Sequence, residues 1–132
     1  MEEEKTMNFY EVRAFTKKGH TVIGNPATVT LVDAFPDDKT MGEAAKKLAS
    51  PMTTFVRPTE DAKVFEIRHF SPDGDECHIC GHATMAAVGL LMRENPGLRN
   101  GGEIVFLMNP KFGVSDESRI RARIDGETIS LK

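Results

Sequence analysis

The sequence predicts an α+β domain in which a curved mixed β-sheet wraps around one buried central helix. Two observations carry the prediction. The stretch from His82 to about Glu94 is apolar nearly all round, the pattern of a helix covered on every side. Before and after it run short segments rich in β-branched and aromatic residues, separated by turn residues, which read as strands. No internal repeat and no low-complexity tract interrupts this order.

Each element has its own warrant. Residues 1–7 are acidic and polar and read as a disordered leader, so the expected domain runs over residues 8–132. Asn8 to Thr16 alternates loosely and reads as the first strand. Lys17-Lys18-Gly19-His20 reads as a turn. Thr21 to Ile23 and Ala27 to Val32 read as strand around the Gly24-Asn25-Pro26 interruption. A helix starts near Pro36-Asp37-Asp38, with Asp38 or Thr40 as its cap. Met41, Ala44, Ala45 and Leu48 then recur at helical spacing. Ser50-Pro51 ends that helix, because a proline disfavours the helical conformation in the residue before it.

Thr53 to Arg57 and Lys63 to Phe70 read as two strands, joined as a hairpin across Pro58-Thr59-Glu60-Asp61-Ala62. Ser71 to Ile79 reads as a long acidic loop, and acidic loops are usually solvated. The central helix follows and is stopped by Asn95-Pro96-Gly97. Glu103 to Met108, Ile120 to Ile124 and Thr128 to Leu131 read as strands, with Asp125-Gly126 a hairpin turn.

Composition narrows the function. With 132 residues the chain fits one domain, which at this size buries roughly two-thirds of its unfolded surface. A net charge of −3, with Lys and Arg scattered, gives no attraction for nucleic acid or anionic membranes. No tryptophan and one tyrosine offer little for stacking on bases. No segment approaches the ~18 apolar residues that span a bilayer. The acidic amino end is the opposite of a signal peptide, so a cytoplasmic address is expected. In that setting the two cysteines, Cys77 and Cys80, are expected as thiols.

The chemistry concentrates at Cys80-Gly81-His82-Ala83-Thr84, where a polar loop meets the central helix. First-turn N–H groups lack partners within the helix, and the helix dipole adds partial positive charge there. Gly81, lacking a Cβ, lets a ligand approach the backbone. The segment reads as a cradle for a carboxylate or an enolate-like oxygen, and His82 adds a side-chain donor. The plain alternative is a helix cap in a tight turn. Cys80 reads either as a small packed residue or as a proton carrier, its thiol acidified by the helix N-terminus. The Asn25 amide either joins the same ligand or bonds only within its own turn.

A zinc site is the competing reading of the same residues. Cys77, Cys80 and His82 offer three ligands and His20 or His69 a fourth, but half of the usual paired-motif signature is missing, so no metal is assigned. A thioredoxin-like role for Cys77-His78-Ile79-Cys80 lacks the expected surroundings. Asp73, Asp75 and Glu76 precede the cradle, but together they repel a carboxylate. His69 sits in a strand and reads as a residue pointing into solvent.

Taken together, several blocks resemble the phenazine-biosynthesis (PhzF-like) isomerase family, which shares the diaminopimelate epimerase-like fold. These are Phe9-Tyr10-Glu11-Val12-Arg13-Ala14-Phe15-Thr16, Gly24-Asn25-Pro26-Ala27-Thr28-Val29, Thr54-Phe55-Val56, Phe65-Glu66-Ile67-Arg68-His69-Phe70-Ser71-Pro72 and Cys80-Gly81-His82-Ala83-Thr84. Gly-Asn-Pro-Ala followed at this separation by Cys-Gly-His-Ala-Thr is the specific part of the match. The resemblance implies the curved sheet around a helix, no cofactor, and proton transfer beside a carboxylate.

Two departures accompany it. Family members usually carry two similar domains with the active site in the cleft between them, whereas this sequence corresponds to the first. The family's Ser-Glu-Thr-x-Phe, whose glutamate is the general acid/base, reads Pro51-Met52-Thr53-Thr54-Phe55 here. A thioether cannot exchange protons. The expectation is therefore an isomerase or epimerase of a small carboxylic acid, its cleft completed by a homodimer. Cys80 would be catalytic, with Asn25, Thr53, Gly81 and His82 on the ligand and Ser50 beside it. A silent anion-binding or scaffold domain is the alternative.

Overall fold

A computed structural model describes residues 9–13, 26–78, 80–95, 97, 102–109, 119–125 and 128–131. Strand β1 (Phe9–Arg13) pairs antiparallel with β2 (Pro26–Leu31). Helix α1 (Asp38–Leu48) then crosses over to β3 (Thr53–Pro58), which runs parallel to β2. A parallel neighbour needs such a crossover, because a tight turn returns the chain antiparallel. Strand β4 (Val64–Phe70) completes the expected hairpin with β3. The two-residue strand β5 (Glu76–Cys77) pairs with the end of β4.

Helix α2 (Gly81–Glu94) is the second crossover and leads to β6 (Gly102–Leu107), parallel to β4. Strands β7 (Arg119–Asp125) and β8 (Thr128–Leu131) follow as antiparallel neighbours. The sheet order is β1-β2-β3-β4-β6-β7-β8, with β5 beside β4.

Helix α2 touches β1, β2 and β3 at one side of the sheet and β8 at the other edge. A sheet whose two edge strands reach the same helix must curl around it. Eight of the helix's residues are buried, from Ala83 to Met92, as its all-round apolar sequence requires. Against them pack Ala27, Val29, Val56, Ile67, Phe106 and Ile124, among others, from the concave face.

On the opposite face α1 forms a smaller core of Val32, Met41, Ala45, Phe55 and Phe70. Edge-to-face ring pairs join Phe9 to Phe55 and Phe55 to Phe70 at 6.1 and 5.8 Å, a geometry aromatic rings favour.

The structure corrects two local expectations, the cap of α1 and the place of Leu48. The cap of α1 is Asp37, whose carboxylate accepts from the Thr40 N–H at 2.9 Å. The helix stops one turn residue before Ser50-Pro51, at Ala49, which takes the left-handed conformation (φ 52°). Leu48, expected on the apolar stripe, is 41% exposed. The leader, the turn at 17–20, the strand at 21–23, Asn25, Pro96 and Gly126 lie outside the described residues. Among the described residues no helix is long and apolar enough to cross a membrane.

Candidate functional site

Strand alternation decides what meets the N-terminus of α2. Val56 and Ile67 pair across β3 and β4 and belong to the core on α2. Thr54 and His69, two residues along each strand and also paired, therefore lie on that same face. Cys77 pairs with His69 across β4 and β5 and joins them. Thr53 pairs with Phe70 and so faces α1, with its buried Oγ1 lacking a hydrogen-bond partner.

The α2 terminus itself is uncapped. Cys80 occupies the cap position without a side-chain cap bond, and the first turn holds no acidic residue. The Cys80 carbonyl accepts from the Thr84 N–H at 3.0 Å and from the Thr84 hydroxyl at 2.8 Å. Gly81 is exposed, and a Cβ built on it would meet no atom within 4 Å. The space above the first turn is open to a ligand. Cys80 Sγ lies 3.4 Å from His82 Nδ1.

Protonation at the site differs from what the helix dipole suggests. Burial pushes the half-buried Cys80 thiol up, and Cys77 adds to the shift. The Ala83 and His82 backbone N–H groups favour the thiolate but do not overcome it. Helix polarity weighs less here than loss of water around the sulfur. The thiol is therefore held as S–H at neutral pH rather than acidified.

His69 is the larger correction. It has no exposed surface, and its Nδ1 lies 2.9 Å from Thr54 Oγ1. Burial lowers its pKa to about 4; Glu76 opposes the shift, while His82 and His78 reinforce it. His69 is thus a neutral imidazole next to the site, not a solvated strand residue. Period-two alternation was the available signal, since Phe65, Ile67 and His69 share one side of a strand whose first two members are apolar.

Glu76 was also misread. Its carboxylate is 3% exposed and takes two bonds from Arg68, at 3.0 Å to Nε and 2.5 Å to Nη2. Asn109 Nδ2 bonds both oxygens at 3.0 Å. The guanidinium also reaches Asp38 at 2.8 Å and sits over the rings of Phe35 and Phe70. This bidentate pair pins β5 to β4 four residues before Cys80.

Met52 is half-buried against the α2 core. Its carbonyl accepts from the Thr28 N–H at 2.9 Å and from the Ser50 hydroxyl at 3.1 Å, so Ser50 is engaged with the backbone. Cys80, Gly81 and His82 are thus together, Thr53 faces away from them, and Asn25 lies outside the described residues. Among the described residues no three His, Cys, Asp or Glu side chains converge as a metal ion requires. Hollows of about 180 and 380 Å³ lie elsewhere, beside Arg68 and Asn109 and beside Phe9 and Leu48.

The sequence profile described as phenazine biosynthesis-like protein matches residues 12–123. An uncharacterized isomerase of Pseudomonas aeruginosa is 35% identical over 95 residues, covering 70% of this chain and 34% of that protein. The human phenazine biosynthesis-like domain-containing protein is 30% identical over 124 residues, 89% of this chain and 40% of that one. The solved Bacillus anthracis phenazine biosynthesis protein of the PhzF family superposes with a TM-score of 0.71 at 28% identity, over 97% of this chain and 40% of that one. The chain thus spans about a third to two-fifths of the length of these relatives.

Proposed function

The chain belongs to the phenazine biosynthesis-like family, and from that premise we propose that it is a cofactor-independent isomerase or epimerase of a small carboxylic acid. Its fold is the family's, and a relative carries the name uncharacterized isomerase. The observation that carries the reading is the uncapped α2 terminus, with open space above Gly81 and the Cys80 thiol 3.4 Å from His82 Nδ1.

The ligand carboxylate docks on the free first-turn N–H groups and on His82, where charge is favoured by the dipole and by preorganised donors. One Cys80 thiol, its proton passed to His82 Nδ1, takes the proton from the carbon beside that carboxylate, and a second copy's protonated thiol returns one to the resulting carbanion. His82 Nδ1 accepts the thiol proton when the reverse transfer needs a thiolate. Asn25 adds its amide to the same ligand in this reading, whereas Thr53, turned toward α1, does not. A second copy of the domain supplies the other wall of the cleft and brings a second thiol.

The test is solvent deuterium incorporation at the α-position of a panel of small amino and hydroxy acids. Exchange by the native chain and its loss in Cys80→Ala support the reading. Full exchange in Cys80→Ala overturns the role of Cys80.

One observation favours the silent-domain alternative. Met52 stands where the family's acid/base would be and packs into the core. Binding of carboxylates without any deuterium incorporation would select it.

A further inference from the structure

Two buried imidazole nitrogens next to the α2 terminus, His69 Nε2 and His82 Nε2, have no hydrogen-bond partner among the described residues. Buried polar atoms are paired in the great majority of folded proteins, so an orphan marks a missing water, ion or ligand. His69 is fully buried, lies on the face that α2 covers, and is close enough to His82 to feel its charge.

The contacts on the opposite nitrogens bear on what the orphans are. With the Cys80 thiol donating to His82 Nδ1 across their 3.4 Å contact, the His82 ring proton sits on Nε2. Thr54 Oγ1 sits against His69 Nδ1 at 2.9 Å. With the Thr54 hydroxyl donating, the His69 proton also sits on Nε2. Both orphans are then N–H donors with nothing to donate to, and what suits them is an acceptor oxygen.

We propose that His69 is a ligand-binding residue of this site, its Nε2–H and that of His82 together holding one oxygen of a small carboxylate. The inference rests on the carboxylate reading above and extends it below the first turn. It assigns the ligand two layers of donors: backbone N–H groups at Gly81 and His82, and imidazole N–H groups beneath. A neutral imidazole suits the task, since it donates without adding a charge that would hold the product.

The experiment is a titration of uniformly ¹⁵N-labelled full chain near pH 7 with sodium acetate, against sodium chloride at equal ionic strength. Two-bond ¹H–¹⁵N correlations report the ring tautomers and Nε2 shifts, and backbone amides report Gly81 and His82. The expected result is both rings as Nε2–H tautomers. Acetate then moves both Nε2 resonances along one saturation curve with the two amides. In His69→Phe, acetate still moves the Gly81 amide but binds about tenfold more weakly, the worth of one donor to a charged acceptor.

If the amides move while His69 Nε2 stays fixed, water fills that position and the assignment falls, with the α2 cradle intact. A His69 ring found as the Nδ1–H tautomer overturns it equally. If neither amides nor rings respond, the carboxylate reading fails and takes this inference with it.

Discussion

His69 has no access to solvent, so the cost of charging it falls on the folded state alone. Its pKa, lowered to about 4 by burial, stands against about 6.5 in an unfolded chain. Between those values the unfolded state binds a proton that the folded state refuses. Stability from this residue is therefore fully present above about pH 6.5 and is lost as pH falls toward 4. At 1.36 kcal/mol per unit the loss is on the order of 3 kcal/mol. Urea denaturation near pH 7 and near pH 4.5 checks this. The native chain should lose stability more steeply than His69→Gln, and equal losses would contradict it. Cys80 makes the same point in the other direction. Its position at a helix start and a packed side chain were both legible in the sequence, but which of burial and helix polarity sets its protonation was not.

Among the elements, the segment from β4 to α2 owes its shape to long-range contacts. Ser71 to Ile79 reads as an acidic loop because its neighbours in sequence are polar. Arg68 and Asn109, which bury Glu76, come from other strands and segments. Glu76→Gln is expected to cost about 3 kcal/mol, since it leaves a largely buried guanidinium short of its counter-charge. The same change should shift the Gly81 amide resonance, because β5 holds the approach to α2.

The turn before β5 leans on α1. A Cβ at Gly42 would sit 2.7 Å from the Gly74 carbonyl oxygen, and Gly74 itself needs φ +88°. Gly42→Ala should therefore destabilise by about 1–3 kcal/mol, as overpacking does. Ala49 ends α1 in the left-handed region (φ 52°), which strains any side chain with a Cβ. Ala49→Gly should raise stability by up to about 1 kcal/mol. Thermal denaturation with opposite signs for these two variants is the check.

At the scale of the molecule, the buried helix and the strands around it were readable from the chain. All-round apolarity identified α2, and alternation identified the strands. What could not be read was which face each strand turns toward α2, because register is set by pairing. That is why Thr53 was expected on the ligand while Thr54 is the residue that meets His69. The curl of the sheet brings one helix terminus, Cys80 and two imidazoles to one place and leaves the space over Gly81 open. A site open on one side exchanges protons with water unless a second surface closes it.

The account therefore stands on a second copy providing that surface. Light scattering on the purified chain, with reductant present, measures it directly. A stable species near twice 14.6 kDa is the predicted result. A strictly monomeric chain, with or without acetate, would contradict a cleft built from two copies and leave α2 as one wall without its counterpart.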